Sequence, residues 1–519
     1  MILQSPWPTV NIPESNFGRY MLHFASRHGT SIALIDAETG RQITFKEFCN
    51  YVMKCSSSFV NSGLLKGDVI ALCCSNTIEY PIILIAAACC GLAVVPCNPS
   101  HTADELERQM ELTKPKMVIG DDAIWSKLSQ LRDKVTSIKN VLCIERNSFC
   151  QSLTEYIRQG KTEDFPGKIE LNVKNDPFIL ASSSGTTGLP KAVNLSQFIM
   201  TAITKVTDEP LNMSPEDLLY LVLPMFHAFA MMSIFAALFK GCTQVVSKRF
   251  AADNLFRAFE KYNITLFYCV PPMLISLNEH PKLTSYYTSR LRHVISAGAP
   301  LAESISLEIM QKMKTTVSQM WGLTEVCPVS MTTRECPVKS VGHLCANTSL
   351  KVLDLDTRKE LGPNQSGELW LKGPQVILGY YKNPSANAEC FDEDGWFRSG
   401  DIGYYDEKGN IFLIDRLKEI VKYKAFQVAP AELEGVLLSH PLIRDVAVVG
   451  IPDFEAGELP KAFVVRKSTT LTAEEIHTFL EGKVAKYKYL RGGVEFCDVI
   501  PKTGSGKILR RALKARGKL

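Results

Sequence analysis

Apolar residues along the chain switch repeatedly between two spacings. Residues 43–59 (ITFKEFCNYVMKCSSSF) set them on one face of a helix, 69–74 form a short strand-like run, 78–90 return to a helix, and 92–96 make a second strand entering the turn Asn98-Pro99. The alternation recurs through residues 243–246, 255–261, 266–270 and 293–296. Short apolar strands separated by helices predict layered α/β structure with largely parallel sheets. Residues 218–239 (LLYLVLPMFHAFAMMSIFAALF) are long and apolar enough to span a bilayer. Pro224 and His227 interrupt them and no basic cluster flanks them closely, so a strand at 218–223, a break at Pro224 and a buried helix are expected. The run 82–95 is too short to span and reads as a core helix.

After about Ser340 the pattern turns to period-two strands broken by turns, with Gly409-Asn410 linking two of them. The charged stretch Asp415 to Lys418 closes that hairpin. Beyond it come a helix at 430–439, strands at 445–450 and 462–466, and a helix at 473–481, so the expected domains are 1–415 and 416–519. Length agrees, since single cores stop growing near about 250 to 300 residues and this chain has 519. With 46% hydrophobic and 22% charged residues, the composition is that of a soluble globular protein. A net charge of +4 lacks the basic excess that nucleic-acid binding requires. The 16 cysteines include the adjacent pairs Cys73-Cys74 and Cys89-Cys90 and no zinc-type spacing, which reads as buried thiols in a reducing compartment. No signal-peptide pattern opens the sequence.

The strongest chemical signal is SSSGTTGLPK, residues 182–191, directly after the apolar run Phe178-Ile179-Leu180. Small and hydroxylated residues let backbone N–H groups and side-chain hydroxyls surround a polyphosphate, with Lys191 as a mobile charge. It is not a Walker loop, since no GK[ST] closes it. The plain alternative is a surface linker.

Four further segments bear on that choice: QMWGLTE (319–325), GWFRSGD (395–401), IDRLKEIVKYKAFQVAPAELE (414–434) and PKTGSGKILR (501–510). With the glycine-rich segment, and in this order across nearly the whole chain, they resemble the adenylate-forming superfamily of acyl-CoA synthetases, 4-coumarate-CoA ligase and beetle luciferases. The resemblance implies an α/β fold: a large N-terminal domain of several subdomains, with layered α/β sheets and a small β-barrel-like part, then a small mobile α+β C-terminal domain. It also implies ATP, Mg2+ and CoA as co-substrates, an acyl-adenylate intermediate, and a thiol that displaces AMP.

By that resemblance, Ser183, Ser184, Gly185, Thr186, Thr187, Gly188 and Lys191 hold the β and γ phosphates, Thr324 faces the α-phosphate, and Glu325 is associated with Mg2+. Asp401 accepts from the ribose hydroxyls. Trp321 takes the place of an aromatic that stacks on adenine, beside Gly322, and Ser296, Ala297, Gly298, Ala299 and Pro300 form the strand end on the other side. Lys507 reaches the substrate carboxylate and α-phosphate. His227 lines the acyl pocket, Lys418 is the hinge, and Arg416 contacts the ribose or phosphate of AMP. Lys422, Lys424, Ala425 and Gln427 stand at the adenylate and thiol tunnel. Read without the resemblance, Lys507 is one charge in a basic tail with Lys502, Arg510, Arg511, Lys514, Arg516 and Lys518, and His227 is a core histidine. The tail is expected to complement adenylate and CoA phosphates.

Two departures bear on substrate. Met320 replaces the glycine common at the floor of the acyl pocket, and Ala425 the glycine of YKGFQ beside the thiol tunnel. Phe229, Met231, Met232 and Ile234 suggest an apolar pocket for a medium-chain fatty acid or a compact aromatic acid. Gly517-Lys518-Leu519 resembles a peroxisomal address with its first residue altered, leaving peroxisome and cytosol both open. Two other readings stay open: an adenylating enzyme with a different acceptor (a carrier-protein thiol or luciferase-like oxygen chemistry), and a non-catalytic nucleotide-binding scaffold.

Overall fold

The helix Tyr80–Cys89 (YPIILIAAAC) is apolar all round and buried at all ten positions, so it forms inside the protein. It packs against Phe17–Ala25 and Phe45–Asn61. Close approach to the first requires Gly18, where a Cβ would lie 2.5 Å from the Cys89 nitrogen. Phe45–Asn61 starts at a reciprocal cap: Thr44 Oγ1 accepts from the Glu47 N–H, and Glu47 Oε2 accepts from the Thr44 N–H. This computed structural model describes residues 2–145, 150–183, 191–283, 288–424, 426–503 and 506–517.

Four sheets organise the chain. The first runs Lys191–Ser196, Pro177–Ser183, Ala93–Pro96, Val69–Cys73, Met117–Gly120, Asn140–Cys143 and Gln151–Ser152 across its width, parallel except at the Lys191–Ser196 edge. The second has six parallel strands, Thr316–Leu323, His293–Ala297, Leu266–Cys269, Leu218–Leu221, Thr243–Val246 and Ile32–Asp36. Antiparallel additions flank them, Val326–Met331 and His343–Leu344 on one side and Gln42–Thr44 on the other. One continuous apolar core joins these two sheets and the helices between them.

The third sheet is antiparallel: Ile2–Gln4, Ser349–Leu353, Gly367–Lys372, Phe397–Tyr405 and Ile411–Arg416, with Glu360–Leu361 beside Ser349–Leu353. It occupies the place expected of a barrel-like part, but among the described residues it is open. Its three-residue edge strand, Ile2–Gln4, offers too short a ladder to close it. The fourth sheet belongs to a separate C-terminal domain with its own core. It comprises Val421–Tyr423, Phe426–Val428, Ile443–Asp453, Gly457–Arg466 and Val494–Phe496, covered by helices Pro430–Leu438 and Ala473–Leu480.

The long apolar stretch divides as its proline predicts, into strand Leu218–Leu221 and helix Ala228–Lys240, whose residues 230–239 are all buried. No helix among the described residues is long and apolar enough to cross a membrane. Two expectations need correcting. Cys143 and Cys150 form a disulfide, so not every cysteine is a free thiol; ten of the other fourteen are buried as expected. The basic tail is also largely neutralised within its own domain. Lys502 meets Asp445 at 2.6 Å, Arg516 meets Glu495 at 2.7 Å, Lys514 meets Glu458 at 3.7 Å, and Arg510 pairs closely with Glu434. Those four charges are taken up by pairing inside the domain, so among the described residues Lys507 and Arg511 are the tail cations without an ion-paired acid.

Candidate active site

Sites on parallel sheets form where strands end at their carboxyl edge. Here His293–Ala297 ends in the loop 298–300, whose Gly298 turns the chain at φ +87°, a conformation that disfavours any side chain. The neighbouring strand Thr316–Leu323 reverses through Thr324 and Glu325 into Val326–Met331. A Cβ at Gly322 would meet the Val326 carbonyl oxygen at 3.2 Å, so the glycine lets this hairpin close tightly.

Met320, Trp321 and Glu325 are all buried on this hairpin. The indole Nε1 of Trp321 donates to Asp401 Oδ2 at 2.8 Å, and Arg416 Nε reaches Asp401 Oδ1 at 2.6 Å. The ladder between Phe397–Tyr405 and Ile411–Arg416 sets Asp401 opposite Arg416 in register, so that ion pair is built into the third sheet. Burial raises the Asp401 carboxyl, while Arg416 and the Trp321 hydrogen bond favour its charged form.

Glu325 is reached from the first sheet. Tyr381 N–H donates to the Ala192 carbonyl at 2.8 Å and Tyr380 bridges to Val193, so the segment 379–381 lies along Lys191–Ser196. This aims the Tyr380 hydroxyl at Glu325 Oε1, 3.1 Å away, and sets the Lys191 ammonium over the Tyr380 ring, 4.9 Å from its centre. Burial and the nearby Glu325 charge raise the Tyr380 phenol, keeping it a donor. The sequence gives no sign of Tyr380, because it is 55 residues from Glu325 and only the sheet edge unites them.

The C-terminal domain contributes Lys507. The turn preceding it packs on the large domain: a Cβ at Gly506 would lie 3.1 Å from Pro272 Cδ and 3.2 Å from Val270 Cγ2. Solvent still reaches Lys507, but the surrounding protein lowers its ammonium pKa, as do Arg416 and Lys418, against the opposing pull of Glu325 and Asp401. It also acts on His227, whose imidazole is lowered to about 4 by burial, then by Lys507 and by His101. His227 is therefore neutral near pH 7. His101, from the loop after Ala93–Pro96, is a second neighbour that the sequence does not single out.

Met320, Trp321, Gly322, Thr324 and Glu325 thus share one hairpin beside residues 296–300, Trp321 and Arg416 meet at Asp401, Lys191 stands over the Tyr380 ring, and Lys507 feels Arg416, Glu325, Asp401 and Lys418 and itself acts on His227. Lys422, Lys424 and Gln427 are exposed on the hairpin of Val421–Tyr423 and Phe426–Val428, where Lys422 N–H bonds Glu458 and Lys424 N–H bonds the Ala456 carbonyl. Their described contacts face the C-terminal sheet and not Asp401. Ser184, Gly185, Thr186, Thr187, Gly188, Ala425, Lys518 and Leu519 lie outside the described residues, as does the Ser183 side chain. Of the four apolar candidates near His227, Met231, Met232 and Ile234 are sealed in the core; only Phe229 stays partly open, its ring 5.6 Å from that of Tyr268.

Residues 22–381 match the AMP-binding enzyme family, and residues 432–507 match the AMP-binding enzyme C-terminal domain. Luciferin 4-monooxygenase of Nipponoluciola cruciata is 34% identical over 529 residues, covering 99% of this chain and 96% of that protein. 4-Coumarate–CoA ligase 3 of Oryza sativa subsp. japonica is 34% identical over 531 residues, covering 99% and 95%. The ATP-bound crystal structure of MatB from Rhodopseudomonas palustris superposes with a TM-score of 0.88 at 26% identity, covering 96% of this chain and 99% of that one. The chain belongs to the AMP-binding enzyme family, within the adenylate-forming superfamily that its motifs resemble.

Proposed function

We propose that the chain is an ATP-dependent carboxylic acid–CoA ligase that forms an acyl-adenylate and then an acyl-CoA thioester. The observation that supports this reading is that the turn before Lys507 packs on the large domain at Pro272 and Val270, bringing Lys507 within electrostatic reach of Asp401, Arg416 and Glu325. A carboxylate is a poor acyl donor, and two anions must meet for it to be activated. In the first step its oxygen attacks the α-phosphorus of ATP, the bond to the bridging oxygen breaks, and pyrophosphate leaves. Lys507 and Arg416 neutralise charge that grows at the α-phosphate, Lys191 and the loop before it hold the departing phosphates, and Asp401 binds the ribose. His227, uncharged, positions the acid by a hydrogen bond. In the second step the CoA sulfur attacks the acyl carbon and AMP leaves.

Among the described residues no group of three or more His, Cys, Asp or Glu side chains could hold a metal alone. One carboxylate, Glu325, braced by Tyr380, fits a cation shared with ATP phosphates. When bound there, Mg2+ would offset phosphate charge. We further assign residues 1–415 to the ATP- and acid-binding domain and 416–519 to a domain rotating about Lys418, which would replace Lys507 by Lys422, Lys424, Ala425 and Gln427 for thioester formation. The acid is a medium-chain fatty or compact aromatic one, and the altered GKL terminus makes peroxisomal import a second proposal beside a cytosolic site.

A second reading, oxygenation of the adenylate, draws on the likeness to luciferin 4-monooxygenase, whose 34% identity equals that of the 4-coumarate–CoA ligase. ATP–pyrophosphate exchange with a panel of acids, followed by product analysis with and without CoA, separates the readings. The ligase reading predicts acid-dependent exchange and a CoA thioester. Exchange without thioester overturns it, and no exchange with any acid favours a nucleotide-binding scaffold.

A further inference from the structure

Four cysteines outside the disulfide are only half-buried: Cys49, Cys336, Cys390 and Cys497. Cys336 differs from the others in what surrounds its sulfur. It lies in the loop joining Val326–Met331 to His343–Leu344, and that loop folds back on itself, the Cys336 N–H donating to the Thr333 carbonyl at 3.2 Å. The fold brings the Thr333 N–H to 3.3 Å from Cys336 Sγ, with Thr333 Oγ1 also at 3.3 Å. His343 Nδ1 stands 3.6 Å away on the other side, held by the pairing of His343 with Met331. The Asp406 carboxylate acts on that imidazole from the turn between Phe397–Tyr405 and Ile411–Arg416.

A backbone donor, a hydroxyl and an imidazole converging on one accessible sulfur make an environment that favours thiolate over thiol. We propose that Cys336 is a reactive thiolate, a modification site whose substrate class is hydroperoxides and whose product is the sulfenic acid. The thiolate sulfur attacks one peroxide oxygen and the O–O bond breaks. The departing oxygen takes the His343 proton and leaves as water or an alcohol, while the sulfur is oxidised by two electrons and the peroxide reduced by two. The site is displaced from Glu325: the loop begins at Thr332, which lies opposite Gln319, about 13 Å along the hairpin from its closed end at the usual strand rise.

The electrostatics point the same way. Burial acts to raise the Cys336 thiol, yet the hydrogen bonds from His343 and Thr333 overcome it and leave the thiol below its ordinary value. His343 is raised in turn, chiefly by its bond to Cys336 and with help from Asp406. Burial pushes Cys49 and Cys390 up to about 11 and raises Cys497 as well.

The full chain, treated with a small excess of hydrogen peroxide near neutral pH, trapped with dimedone and mapped by peptide mass spectrometry, tests this. Cys336 should carry the dominant adduct, forming about tenfold or more faster than at Cys49, Cys390 or Cys497, with a pH midpoint below the usual thiol value of about 8.5. His343→Gln should slow labelling about tenfold at neutral pH and move the midpoint up; Thr333→Val should act in the same direction, less strongly. Labelling of Cys336 no faster than of Cys497, or an unchanged midpoint in folded His343→Gln, would overturn the proposal. The comparison among cysteines needs no variant, so it decides the matter even if a substitution prevents folding.

Discussion

Buried Trp321 donates its indole N–H to buried Asp401 at 2.8 Å, with Arg416 on the other carboxylate oxygen. The tryptophan ring is 4% exposed, so its N–H orients the acid that is proposed to hold the ribose. Trp321→Phe keeps an aromatic ring, though a smaller one, and removes the donor. Leaving a buried carboxylate one bond short costs about 1–3 kcal/mol, so the KM for ATP should rise about tenfold while kcat changes little. Pyrophosphate exchange at varied ATP measures this, and an unchanged KM would place the ribose elsewhere.

Tyr380 is predicted to matter through Glu325. Tyr380→Phe retains the ring under Lys191 and deletes the hydroxyl that donates to the carboxylate. Loss of that bond, worth about 1–2 kcal/mol to a charged acceptor, should cut exchange activity about tenfold and raise the Mg2+ concentration for half-maximal rate. A magnesium titration that superposes on the wild-type curve would remove Tyr380 from the machinery.

For Lys507→Ala, adenylation should fall about a hundredfold or more if the ammonium stabilises transition-state charge, while thioester formation from a supplied adenylate survives. Equal loss of both half-reactions would count against two domain orientations. The pH dependence has a definite sign. Because the Lys507 pKa is lowered, its charged form persists only below that lowered value, so wild-type adenylation should decline with rising pH before an ordinary lysine, near about 10.4, would titrate. A rate that holds level to that pH would contradict the assignment.

Met320 pairs in register with Ala297 on one side and Met331 on the other, and is 5% exposed. Met320→Gly opens volume beside the strand end, at a cost to stability of about 2–5 kcal/mol. The ratio of kcat/KM for bulky over compact acids should rise. If the acid profile is the same at a temperature where the variant remains folded, Met320 does not border the acid.

Element positions were legible in the sequence because apolar spacing is local. The strand expected at residues 243–246 is found as Thr243–Val246, and the helix expected at 430–439 as Pro430–Leu438. The open third sheet and the pairing of the basic tail were not legible, because each depends on residues distant in sequence or on which edge meets which; the Cys143–Cys150 bridge spans only seven residues, but spacing alone does not show that two thiols meet. Motif spacing proposed Asp401, Glu325 and Lys507, and the structure places Asp401 and Glu325 among the charges acting on Lys507. It passed over Tyr380 and His101, ordinary residues that the fold brings beside Glu325 and His227.

Besides the packing of the Gly506 turn on Val270 and Pro272, two ion pairs join the C-terminal domain to the large one. Glu279 of the large domain meets Arg444 at 3.2 Å and Lys467 at 3.8 Å, both with half-exposed side chains, and such pairs contribute about 0–1 kcal/mol each. Pairs this weak add little to either orientation of the proposed rotation, so under that proposal occupancy of the cleft would select between them. Raising ionic strength weakens the Glu279 pairs and, under the proposed rotation, should shift the balance of domain orientations without any change in the active-site residues themselves.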